Sequence, residues 1–115
     1  MAQFLGVLYG DPARFESMPP AALQAAIAKY MGWGQQDTKK KLIVGSNKLV
    51  DDKGKVLRRT PVATDGPYSE TKEVLGGYYL IEAANYDEAV KFFQDHPHMT
   101  YDGTIEIRKI EVLPR

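Results

Sequence analysis

The sequence predicts an α+β domain in which one antiparallel sheet carries two helices on a single face. Three observations predict it. Residues 3–9 (QFLGVLY) and 77–83 (GYYLIEA) are short runs with bulky apolar residues on both alternating sets, the pattern of strands buried on both faces. Two other stretches, around residues 23–30 and 86–93, repeat apolar residues at helical spacing. Each helical stretch lies between strand-like segments, so the order reads β-α-β-hairpin-β-α-β.

The first strand puts Phe4 and Leu8 on one set and Leu5, Val7 and Tyr9 on the other. A Gly-Asp-Pro turn follows at Gly10, Asp11 and Pro12. In the next helix Pro19 and Pro20 are tolerated in the first turn, and Ser17 is a candidate cap. Leu23, Ala26, Ile27 and Tyr30 form its apolar face, and Gly32-Trp33-Gly34 is expected to end it. Residues 41–50 (KLIVGSNKLV) read as a strand. After the turn DDKG, residues 55–64 (KVLRRTPVAT) are expected to return along it as a hairpin, with Pro61 placing that arm at an edge. Asn85 and Glu88 have the spacing of a capping box, and Tyr86, Ala89, Val90 and Phe93 make the second helix's apolar face. His96-Pro97 closes that helix. The last strand, residues 104–113, sets Glu106 and Arg108 opposite Ile105 and Ile107.

This is the split βαβ pattern of ferredoxin-like folds with an inserted hairpin, expected as a single domain over residues 1–115. Two helices cover only one face of a four-stranded sheet, yet two strands are apolar on both faces. A second copy packed sheet against sheet supplies the missing cover, so a homodimer is expected.

Composition narrows the partners. With 43% hydrophobic and 26% charged residues the chain reads as an ordinary soluble domain. Fifteen basic and fifteen acidic residues cancel, leaving no basic footprint for nucleic acid or an anionic membrane. The run Lys39-Lys40-Lys41 reads as a solvated strand entry. Without cysteine there is no disulfide, thiolate metal site or cysteine nucleophile. The start MAQFLGVLYGDPAR lacks the basic region of a secretory signal, and no apolar run approaches the roughly 20 residues of a membrane helix. A cytoplasmic protein without cofactor or metal is the expectation. GGYYLIEA superficially resembles an RNA-recognition strand, but Leu80 and Ala83 stand where aromatics are required.

The polar chemistry is concentrated in DGPYSETKE, residues 65–73. Asp65-Gly66-Pro67 is a natural turn, or a turn that presents Asp65 to a cleft. Glu70, Lys72 and Glu73, with Glu106 and Arg108, form either a structural ion-pair network or a pocket with an arginine for an anionic molecule. His96, at a helix end, is favoured there by the helix dipole or available for proton transfer. His98, beyond Pro97, is expected to face solvent, and the two histidines are too few for a metal.

Taken with their flanks, DGPYSETKE, LGGYYLIEA at 75–83, DEAVKFF at 87–93, Pro97, Gly103 and EIR at 106–108 resemble the YCII-related family, in particular its DGPF subgroup with the signature DGPFAETKE. The opening FLGVLYGDP resembles the family's first strand and turn. Departures are Tyr68 for the usual Phe, Ser69 for Ala, and Lys109 where a proline often stands. The resemblance implies a dimeric α/β-barrel assembly. It also implies an Asp–His pair of the kind proposed as catalytic in relatives outside the subgroup, which falls here on Asp65 with His96 or His98, His96 being the candidate partner. Arg108 and Lys72 become the anion contacts, Glu70 a second acid, and Tyr68, Glu73 and Glu106 further ligand contacts. No reaction or substrate is named by any of this. The expected function is a homodimer binding a small polar or anionic molecule, with acid–base chemistry. The alternative is a non-catalytic structural or regulatory module in which DGPYSETKE is a clasp.

Overall fold

The computed structural model describes residues 1–59, 63–68 and 72–114. In chain order they form β1 (Ala2–Gly10), α1 (Ala13–Glu16), α2 (Pro20–Gln35), α3 (Asp37–Lys40), β2 (Ile43–Lys48), β3 (Lys55–Leu57), β4 (Ala63–Asp65), β5 (Val74–Ala83), α4 (Tyr86–Phe93), α5 (Pro97–Thr100) and β6 (Thr104–Lys109). Four strands make one antiparallel sheet in the order β2-β5-β1-β6. That order, with crossovers through α2 and α4, is the split βαβ arrangement read from the sequence.

Residues opposite one another in the ladders share a face. Phe4 lies opposite Ile81, and with Leu8 and Ala83 it faces the helices. There Trp33 of α2 meets Ala89, Phe92 and Phe93 of α4 in one core. Trp33 stacks on Phe93 at 6.0 Å and takes Phe92 edge-on at 5.2 Å. The ring of Phe93 occupies the space a side chain at Gly6 would fill. On the opposite face Leu5 pairs with Leu80 and Arg108, and Val7 with Tyr78 and Glu106. The apolar side chains of that face are half-exposed.

Four expectations are corrected. Gly32-Trp33-Gly34 does not end α2, which runs to Gln35, because burial of Trp33 in the core holds this turn helical. Ser17 does not cap α2; its hydroxyl donates to the Arg14 carbonyl at 3.0 Å. Residues 55–57 and 63–64 do not return along β2, whose partner is β5. Instead β3 folds onto β4 as a separate two-stranded ribbon, and among the described residues it does not pack substantially on the main sheet. Pro61 lies outside the described residues. The buried face of α4 is Ala89, Phe92 and Phe93, rotated from the expected one, so Tyr86 and Val90 stay partly in solvent. The Asn85 cap stands: its side-chain oxygen accepts from the Glu88 N–H at 2.9 Å. No helix among the described residues is long and apolar enough to cross a membrane.

Candidate functional site

The concave feature of this fold lies between α2 and the sheet, where a cleft of about 910 Å³ opens. Its apolar walls come from Leu23, Ile27 and Met31 on α2 and Leu8, Ile43 and Tyr79 on the sheet. Lys40, Lys48, Glu16 and Asp51, all exposed, stand among its lining. Trp33 anchors α2 in the core, while Leu23, Ile27 and Met31 of the same helix line the cleft.

Tyr30, Tyr79 and His98 line the cleft, and His96 lies behind them. His98 is buried, contrary to the solvent-facing position expected for it. Its Nε2 lies 2.6 Å from the Tyr9 carbonyl and its Nδ1 lies 2.7 Å from the Tyr30 hydroxyl. His96 is 1% exposed. Its Nδ1 accepts from the His98 backbone N–H at 2.9 Å, and its Nε2 lies 3.0 Å from the Tyr79 hydroxyl. His96 thus caps the N-terminus of α5 as an acceptor, a different position from the C-terminal end of α4 at which the dipole reading placed it.

Burial dominates the electrostatics. It pushes His96 from the usual 6.5 down to about 4, with the neighbouring His98 acting in the same direction. Burial also lowers His98, against the hydrogen bond to Tyr9 and the charge of Glu73, which both favour its protonated form. Burial raises Tyr30 to about 12, and Tyr101 and Tyr79 add to that rise. Both imidazoles are therefore neutral, and both phenols protonated, around neutral pH.

The sequence-predicted residues fall elsewhere. Asp65 is exposed on the β3–β4 ribbon and ion-pairs with Lys55. Both ring nitrogens of His96 are already engaged, so the structure does not join Asp65 and His96 as a pair. Tyr68 is 79% exposed, with the Arg58 guanidinium 5.8 Å from its ring centre. Lys72 is exposed, and Glu70 lies outside the described residues. Glu106 and Arg108 lie on the sheet face away from the helices, 3.5 Å apart, with the Tyr9 hydroxyl 3.3 Å from Glu106. Glu73 is the motif acid whose charge reaches a histidine, and that histidine is His98.

Lys39 is another correction. It is not solvated: its side chain is 12% exposed, bonds Asp95 at 2.9 Å and the Phe92 carbonyl at 2.7 Å, and sits 5.0 Å from the Trp33 ring centre. Burial acts to raise Asp95, but hydrogen bonds from Lys39 and Trp33 overcome it and hold the carboxyl below its ordinary value. Sequence reasoning placed Tyr30 on an apolar helix face and Tyr79 in a strand buried on both faces, and missed their hydroxyls. The one available signal was the presence of phenols on faces that alanine or leucine could have filled.

Comparison with known proteins follows the fold. A stretch of 50 residues is 42% identical to an uncharacterized protein of Rhizobium meliloti, covering 43% of this chain and 40% of that one. The match thus spans well under half of that relative's length. The structure of 5-chloro-2-hydroxyhydroquinone dehydrochlorinase from Burkholderia phenoliruptrix, in complex with 2,5-dihydroxybenzoquinone, superposes with a TM-score of 0.58 at 14% identity. The superposition covers 95% of this chain and 93% of that one, a likeness of fold. The family described as YCII-related domain matches residues 2–113, and the chain belongs to that family.

Proposed function

We propose that this protein binds a small, mainly apolar molecule in the cleft between α2 and the sheet, and that it works as a homodimer. The observation that carries the reading is the cleft: about 910 Å³, apolar walls, and Tyr30, Tyr78, Tyr79 and His98 among its lining. Small-molecule sites have this form, with a few polar groups fixing orientation within an apolar enclosure. The dihydroxybenzoquinone in the dehydrochlorinase structure is a single six-membered ring, which supports an occupant of that size here. The polar or anionic ligand expected from the motif gives way to an apolar body with a polar head.

Acid–base chemistry has a route through Tyr30. A ligand proton taken up by the Tyr30 oxygen passes Tyr30's own proton to Nδ1 of His98, 2.7 Å away. The resulting imidazolium still donates from Nε2 to the Tyr9 carbonyl and is favoured by the charge of Glu73, while burial opposes it. Dimerisation would cover Leu5, Val7, Tyr78 and Leu80, with about 800 Å² buried per copy sufficing for a stable interface. The motif DGPYSETKE supports a reading of the chain as a member of the DGPF subgroup.

A substitution that fills the cleft tests the binding reading. Gly34 lines it on α2, and no neighbour crowds a side chain placed there. Replacing this helical glycine with leucine gains helix propensity of about 0.8 kcal/mol and occupies the cleft. In a metabolite thermal-shift screen, hits on the native protein should vanish in Gly34→Leu while its melting temperature holds. Hits that survive would move the binding site elsewhere.

The second reading, a non-catalytic module with the motif as clasp, is favoured by one observation: Asp65 spends its charge on Lys55, joining β3 to β4. Under it, no screened molecule protects the native protein.

A further inference from the structure

Proton accounting along the two buried histidines determines what a ligand meets in the cleft. The Tyr9 carbonyl can only accept, so His98 Nε2, 2.6 Å away, carries the proton. In the neutral ring Nδ1 is then a bare acceptor, and the Tyr30 hydroxyl 2.7 Å away donates to it. Tyr30 is left with lone pairs. A second chain of bonds starts at the His98 backbone N–H, which donates to Nδ1 of His96 at 2.9 Å. Neutral His96 therefore carries its proton on Nε2 and donates it to the Tyr79 oxygen at 3.0 Å. A phenol that accepts from an N–H must point its own hydrogen elsewhere. Among the described residues Tyr79 makes no other hydrogen bond, and it is one of the residues that line the cleft. Burial keeps both imidazoles neutral through the physiological range, so this polarity does not alternate with pH there.

We propose that Tyr79 is a hydrogen-bond donor to the ligand, held in that role by His96, so that the cleft selects apolar molecules carrying a carbonyl or comparable acceptor oxygen. Tyr30, on the same cleft, offers the complementary acceptor for a ligand hydroxyl. The inference rests on the cleft reading above and adds the direction of its hydrogen bonds. His96 touches no ligand; it is a positioning residue that acts through the Tyr79 oxygen.

Acetophenone and ethylbenzene test it, being nearly equal in size and differing by one carbonyl. Their dissociation constants are measured by NMR titration, and the carbonyl stretch of bound acetophenone by infrared difference spectroscopy. Acetophenone should bind roughly two- to tenfold more tightly, the worth of one neutral hydrogen bond, with its stretch moved to lower frequency. Tyr79→Phe should retain ethylbenzene binding and lose both the preference and the frequency shift. His96→Leu should weaken both signals with Tyr79 still present, and His96→Gln, whose amide N–H can replace Nε2–H, should restore them. Equal binding of the two compounds to the native protein, or a preference that survives Tyr79→Phe, overturns the donor role and leaves the cleft reading standing. Unchanged signals in a folded His96→Leu overturn the positioning role. Binding of neither compound overturns the cleft reading and this inference together. Should His96→Leu not fold, the Tyr79→Phe comparison decides the donor role alone.

Discussion

The ring of His98 lies directly against the backbone of Gly103, and the Gly103 N–H closes the loop by donating to the His98 carbonyl at 2.8 Å. A single added carbon at Gly103 would overlap the imidazole. The ring has nowhere to go, since both of its nitrogens are tied to Tyr9 and Tyr30. Gly103→Ala should therefore destabilise the fold by about 2–4 kcal/mol, the cost of overpacking plus a broken buried bond. Denaturant unfolding measures it; a loss below about 1 kcal/mol would show that the loop yields easily.

Acid should weaken the fold through His96. Its pKa falls from 6.5 to about 4 on folding, so the unfolded chain binds the proton first. The stability it contributes is complete above about pH 6.5 and is lost as pH falls toward 4, by on the order of 3 kcal/mol. Its surroundings bear this out: His98 and Lys39 oppose its charging, and Asp95 favours it only partly. His98, also lowered, adds in the same window. Urea titrations between pH 7 and 4 should show the decline, and His96→Gln should flatten it.

Two lysine–aspartate pairs should respond differently. Lys39 is enclosed by Trp33 and Phe92 and bonded to Asp95, so Lys39→Met keeps the packing and still costs about 1–3 kcal/mol. Lys55 and Asp65 are both exposed, so Asp65→Asn should cost less than about 1 kcal/mol. Thermal unfolding of both variants compares them. A larger effect at Asp65 would revive the clasp.

The half-exposed sheet face predicts the assembly. Leu80 lies opposite Leu5 at its centre, and an acid there would be buried without a partner in a face-to-face dimer. Light scattering should report a dimer for the native protein and a monomer for Leu80→Glu. A native monomer would remove the dimer from the proposal.

The succession of the four main strands and two long helices, the Asn85 cap and the alternation of Glu106 and Arg108 with Ile105 and Ile107 were legible in the sequence. Each depends on periodicity or on residues a few positions apart. The ribbon was misassigned because the pairing of residues 55–57 competes between two partners of similar alternation, β2 and β4. The cleft groups were hidden for another reason. Tyr30 and His98 are 68 positions apart and meet only after α2 and α5 dock on the same sheet. A histidine past a proline looks solvated until Gly10 and Gly103 are seen to leave it room. The expected pairing of Asp65 with His96 was not legible in this way either: Asp65 meets Lys55, and His96 meets Tyr79 and His98.

The docking of α2 has a mechanical consequence. Its second half is pinned, with Tyr30 bonded to His98 and the Trp33 indole N–H donating to Asp95 at 3.0 Å. In its first half Ala26 is buried, while Leu23 and Ile27 line the cleft. The helix is a beam clamped at one end. Its first two turns should open locally with little free energy and exchange their amide hydrogens quickly, while the turns around Trp33 exchange slowly. The width of the cleft is thereby set by how far the free end of the beam swings.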